Sequence, residues 1–252
     1  MKTPIRCASL VASLLVSLGA DAVEVTVLSG GAVKAGFTDV AAAWEKKTGH
    51  RVKATFAPAG EMKKRLAAGE RFDLVVMPAE DIPALERDGT VVAGSSRPVV
   101  AGTIGVAVRK GAPLPDISSN EGVKRMLVDA KSLTYMDPTR GTSGKHVDEV
   151  VLPKLGVRDQ VRAKATLGEG GMIAEKVASG EVELAIHQMT EILPVAGVTL
   201  VGPLPPDLQK VTVYTGALTR AAPSAAEASA LLAFLASAEA RPLFLAKGYA
   251  AP

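Results

Sequence analysis

The 252-residue chain carries a single cysteine, Cys7, within its first ten residues. Beyond that position there is no thiol for a disulfide, a thiolate metal site or a cysteine nucleophile. Aromatic residues make up 4% of the chain, with one tryptophan, which leaves few platforms for stacking bases or sugar rings. The formal charge of +3 is spread along the chain, so there is no basic stripe and no nucleic-acid partner is expected. None of the three histidines, His50, His146 and His187, has a second ligand at metal spacing, so neither a metal nor a cofactor is expected. The only long apolar run, Ala8 to Ala20, has 13 residues and is short for a membrane span.

That run follows Lys2 and Arg6 and precedes the small-residue pattern Ala20-Asp21-Ala22. The arrangement reads as an export signal, residues 1–22, cleaved after Ala22. Its removal leaves no cysteine and a formal charge of +2. A soluble, exported, monomeric protein located in the periplasm is expected.

From Val23 onward, short β-branched runs alternate with helical periods. Strands are predicted at 23–28, 52–56, 72–77, 103–108, 132–136, 164–166, 184–188, 199–202 and 211–218. Helices are predicted at 32–47, 61–68, 79–88, 119–130, 143–155, 172–179, 224–235 and 239–247, with one further turn at 190–193. Strand–helix alternation at this spacing implies an α/β fold with a mixed, mainly parallel sheet and flanking helices. The length suits two lobes with a cleft between them.

The stretch from Asp137 to His146 is the most informative one. A strand, a glycine-containing turn and a helix follow one another there, so the first helical amides point out of the end of a sheet and favour an anion. Thr142, Ser143 and Gly144 open that helix, and Arg140 adds a two-pronged cation suited to a carboxylate. Similar loops leave other strands at Ser29-Gly30-Gly31, at Ala59-Gly60 and at Gly168 to Gly171, where Gly170 and Gly171 are expected to open the 172–179 helix. Ligands of open α/β sheets bind outside the carboxyl ends of strands, so these loops are expected to converge on one anion. Glu169 beside that cleft is expected to point outward or to orient Arg140.

The segments VTVLSGGAVKAGFTDVAAAWEKKTG, FAPAGEMKKRLAAGERFDLVVMPAE, GTIGVAVRKG, MDPTRGTSG, VASGEVELAI and FLASAEARPLFLAKGY occur in an order that resembles the molybdate-binding-like periplasmic solute-binding proteins of ABC importers. The resemblance implies a type II binding-protein fold with hinge closure on a buried ligand, and an ABC permease as partner. It implies one lobe of 23–103 plus 209–252 and another of 104–208. In that family a serine follows the first strand, another follows the second, and a tyrosine completes the tetrahedral-anion site. The corresponding positions here are Ala32, Ala59 or Gly60, and Gln188; the backbone positions correspond to Ser143 and about Gly170. With the three hydroxyls gone, a small organic carboxylate is favoured over molybdate or tungstate, with Ser29, Arg140, Thr142, Ser143 and Gln188 as its side-chain contacts.

Other chemistry fits less well. A phosphate-binding loop would need glycine at Thr139 and Ser or Thr at His146. A G-x-S-x-G nucleophile turn would need glycine at Lys145. Ser143 and His146 stand three apart on a helix and read as a surface pair, and His187 is expected in the core or behind the ligand contacts. An exported serine hydrolase built on Ser143, or a sensor domain, is the alternative to a binding protein without turnover.

Overall fold

The computed structural model describes residues 22–252, so the expected export signal lies outside the described residues except for Ala22. Nine strands run through it: β1 (Glu24–Gly30), β2 (Arg51–Ala57), β3 (Leu74–Pro78), β4 (Arg97–Arg109), β5 (Leu133–Met136), β6 (Ala165–Gly168), β7 (Leu184–Gln188), β8 (Val198–Pro203) and β9 (Val211–Leu218). Their order is β2-β1-β3-β9-β4-β7-β5-β6, with β8 also paired to β4. The pairs of β1 with β2 and β3, and of β5 with β6 and β7, are parallel. Every antiparallel pair involves β4 or β9.

Alternation along β1 and β3 covers both faces of the first half. Val25, Val27, Leu74 and Val76 pack with Phe37, Val40 and Trp44 of the helix Lys34–Thr48, while Leu28, Val75 and Met77 pack with Met62 and Leu66 of the helix Ala59–Ala67. All five residues of β3 are buried, as its unbroken apolar run requires. The second half repeats the design. Ile104, Val106, Leu133, Tyr135 and Ile186 face one core, and Ala107 and Ala185 face a second with Ala174 and Val177. Helices therefore flank the sheet on both faces, giving the α/β arrangement that the strand–helix alternation implies.

Two local readings need correction. β4 is thirteen residues long and begins at Arg97, well before Thr103. Pro98 hides this from the sequence, and it is tolerated because the register with β9 shifts between Pro98 and Val100. The Gly168–Gly171 loop does not open a helix at Met172; the helix is Glu175–Ser179. Ile173 folds back over Gly168, where a Cβ would lie 2.3 Å from its Cγ2, and a turn fills residues 173–174.

β4 also links the halves. Arg97–Thr103 pair with β9, whereas from Ile104 to Arg109 the partners are β7 and β8.

Candidate functional site

A cleft of about 610 Å³ opens where loops from both halves meet at the carboxyl ends of β1, β2, β3, β5 and β7. Gly30, Gly31, Ala32 and Lys34 form one wall, continued by Phe56, Ala57, Pro58 and Ala59. Gly141, Thr142, Ser143, Gly171, His187, Gln188, Thr190 and Glu191 face them, and Tyr214 of β9 closes the base. Thr142–His146, a π-helical turn at Val147–Val151 and Leu152–Leu155 form one continuous helical run whose first residues border the cleft.

Seven of the residues singled out by sequence line this volume: Gly30, Gly31, Ala59, Thr142, Ser143, Gly171 and Gln188. Five do not. Ser29 is fully buried, and its hydroxyl donates to the Gly30 carbonyl at 3.4 Å. The Arg140 Nε donates to the Glu169 carbonyl at 2.7 Å, so this guanidinium ties down the Gly168–Gly171 loop and is absent from the cleft wall. Glu169 orients Arg140 through its backbone. Gly60 N–H donates to the Arg140 carbonyl at 3.0 Å, a bond between the two halves. Gly144 lies against β5, where a Cβ would sit 1.8 Å from the Met136 carbonyl oxygen, and Gly170 stands against Pro58.

The chemistry that sequence reasoning missed centres on His187. Its Nδ1 lies 3.4 Å from Ser143 Oγ, and its Nε2 lies 3.1 Å from Glu191 Oε2 and 3.3 Å from the Gly171 carbonyl. Nε2 thus faces two acceptors and carries the proton in the neutral ring, which leaves Nδ1 to accept from the Ser143 hydroxyl. Burial pulls the His187 pKa down, but the Glu191 charge, its hydrogen bond and the Gly171 carbonyl outweigh it and hold the pKa above the usual histidine value. Gly31 makes room for this pair: a Cβ there would lie 2.9 Å from Glu191 Oε1. His146, the partner weighed for Ser143, instead bonds the Leu208 carbonyl at 2.9 Å. The other charged groups lining the cleft are Lys34, Asp39, Glu175 and Lys247. Lys247 pairs with Asp39 at 3.0 Å.

Gln188 and Tyr214 complete the floor. Burial pushes the Tyr214 phenol well above its usual pKa, so it stays neutral. Gln188 Nε2 donates to Thr212 at 3.4 Å, while its buried Oε1 has no partner.

The profile of the bacterial extracellular solute-binding protein family matches residues 25–250. The chain belongs to that family. Among curated solute-binding relatives, a molybdate-binding protein of Azotobacter vinelandii is 29% identical over 182 residues, 71% of this chain and 69% of that one. A protein named aconitate isomerase, from a Pseudomonas species, is 34% identical over 220 residues, covering 85% of this chain and 83% of its own. Among solved structures, the periplasmic molybdate-binding protein of Azotobacter vinelandii superposes with a TM-score of 0.77 at 18% identity, covering 90% of this chain and 99% of that one. It shares the two-lobe fold. Ala32, Ala59 and Gln188, where the resemblance to molybdate binders implies lost hydroxyls, all border the cleft of this member of the family.

Proposed function

We propose that this solute-binding protein captures a small organic polycarboxylate in the cleft between its lobes. The carrying observation is the cleft itself. About 610 Å³, walled in part by Phe56, Pro58, Met136 and Met172, suits a several-carbon acid. A tetrahedral oxyanion would need nearly all its water replaced by donors, each unmatched buried group costing about 1–3 kcal/mol. Ala32 and Ala59 supply no hydroxyl for that purpose. Lys34, His187, Ser143, Thr142 and Gln188 are the side chains proposed to contact the acid, with Gly30, Gly31, Gly141 and Gly171 letting its oxygens approach the backbone.

The lobes proposed to close on it are 23–103 with 209–252, and 104–208. The change of β4 partners between Thr103 and Ile104 supports that division. No helix of the described residues is long and apolar enough to cross a membrane. We place the protein in the periplasm after export, delivering its ligand to an ABC permease as a monomer.

A thermal-shift screen of di- and tricarboxylates against molybdate, tungstate and sulfate tests this. A ligand at a hundred times its Kd adds about 2.7 kcal/mol, or roughly 5–10 °C for a chain of this size. Stabilisation by polycarboxylates is expected. A shift with molybdate alone would overturn the reading. Capture without turnover is the simplest form of this function. Turnover of the bound acid is the second reading, and the Ser143–His187–Glu191 arrangement favours it.

A further inference from the structure

Glu191 is hard to explain by anion capture. A carboxylate only 8% exposed, lining a cleft that takes up negative charge, opposes the ligand. Its position against His187 Nε2 gives it another use, because it fixes the imidazole tautomer and supports the cation that forms when Nδ1 accepts a proton. Ser143 Oγ, 3.4 Å from Nδ1, completes a linked set that begins at the cleft wall and ends at a buried acid. The distance from Ser143 Oγ is at the long end of hydrogen bonding, so Nδ1 is not tightly occupied.

We infer that the cleft moves a proton within its ligand: His187 Nδ1 carries it between two carbons of a bound unsaturated polycarboxylate, shifting the double bond by one position. The inference rests on the polycarboxylate capture proposed above and deepens it. Nδ1 takes a proton from the methylene carbon beside the C=C bond. The freed C–H electron pair spreads through that bond onto the far carboxylate as a dienolate. The imidazolium, with Nε2–H held by Glu191, donates to Ser143 Oγ, whose own hydroxyl hydrogen turns to a dienolate oxygen. While the dienolate persists the Nδ1 proton exchanges with solvent, and the imidazolium then delivers a proton to the other end of the allylic unit, which leaves the ring neutral again. One C–H bond breaks and one forms, with no net oxidation and no water consumed. His187 and Ser143 are the catalytic residues of this step, and Glu191 is a positioning residue.

The test uses the mature full-length chain with cis- and trans-aconitate in D₂O, followed by proton NMR, with calorimetry on the same samples. Wild type is expected to bind one-to-one, to exchange the methylene protons for deuterium and to interconvert the two acids. His187→Gln should lose about 100-fold or more of the exchange rate, a far larger loss than the weakening of binding that calorimetry reads for the same variant. Glu191→Gln should slow exchange and move its rising pH limb to lower pH, because the carboxylate that raises His187 is gone while Lys34, Asp39, Glu175 and Lys247 are unchanged. Binding without deuterium uptake by wild type would overturn the inference and leave capture standing. So would undiminished exchange in a folded His187→Gln, or labelling of Ser143 by a fluorophosphonate without exchange, which would make the serine a nucleophile. No calorimetric binding of either acid would remove capture and the inference together.

Discussion

At the scale of single residues, charge that binds nothing still holds the second lobe together. Asp148 is 1% exposed and accepts from Arg158 at 2.7 Å, from Arg162 through both oxygens, and from Tyr135 at 3.1 Å. Hydrogen bonding to Arg162 outweighs burial, and with Arg158 and Tyr135 it brings the Asp148 pKa down to about 2. A depressed folded-state pKa stabilises above the unfolded value of 3.8 and is lost as pH falls from there towards 2. Asp148→Asn should therefore cost on the order of 2 kcal/mol at neutral pH. It should also flatten the acid limb of the stability curve, both read from urea midpoints. Ser29 makes the opposite case. Its hydroxyl is buried against its own strand, so Ser29→Ala should leave polycarboxylate affinity within about twofold in calorimetry.

Residue-level reading of the sequence found the turns and missed their partners. Gly30, Gly31, Thr142 and Ser143 were legible because strand–glycine–helix order fixes where a loop points. Arg140 misled because a guanidinium beside a candidate anion loop looks like a ligand group; here the Glu169 carbonyl, just past the neighbouring strand β6, claims it. His187 and Ser143 lie 44 positions apart, and no local pattern joins them. The i,i+4 spacing of His187 and Glu191 was visible, but they meet only because β7 runs directly into the helix Met189–Ile192.

At the scale of elements, the candidate site depends on how closely the Thr142–His146 helix approaches β5. Gly144 permits that contact, since any Cβ would strike the Met136 carbonyl. Gly144→Ala should cost about 3 kcal/mol or more by overpacking and should displace Ser143. A chemical-denaturation series with ligand titration reads both effects. The strand and helix periods were plain wherever one face was buried, as in β1 and Lys34–Thr48. They failed where another rule won: Pro98 masked the start of β4, and the glycines of 168–171 looked like a helix opening when Ile173 had already taken the space.

At the scale of the whole molecule, one strand and a few bonds join the lobes. β4 supplies the continuous connection, paired with β9 up to Thr103 and with β7 and β8 beyond it. Across the cleft, the Thr190 hydroxyl donates to the Ala32 carbonyl at 2.9 Å and Gly60 N–H to the Arg140 carbonyl at 3.0 Å. These bonds hold the lobes in the arrangement that encloses the ligand volume, so ligand affinity and closure are linked. Thr190→Ala, which removes the bond to Ala32, should weaken binding by about 0.5–1.5 kcal/mol. Small-angle scattering of that variant should show a larger radius of gyration in the absence of ligand.

The central claim is that this cleft has exchanged a tetrahedral-anion site for one that takes a carbon acid. Competitive calorimetry measures it most directly, by titrating a tricarboxylate into the mature protein with and without excess molybdate. One-to-one tricarboxylate binding that molybdate does not displace is the predicted result. Tight molybdate binding that abolishes any tricarboxylate signal would contradict it.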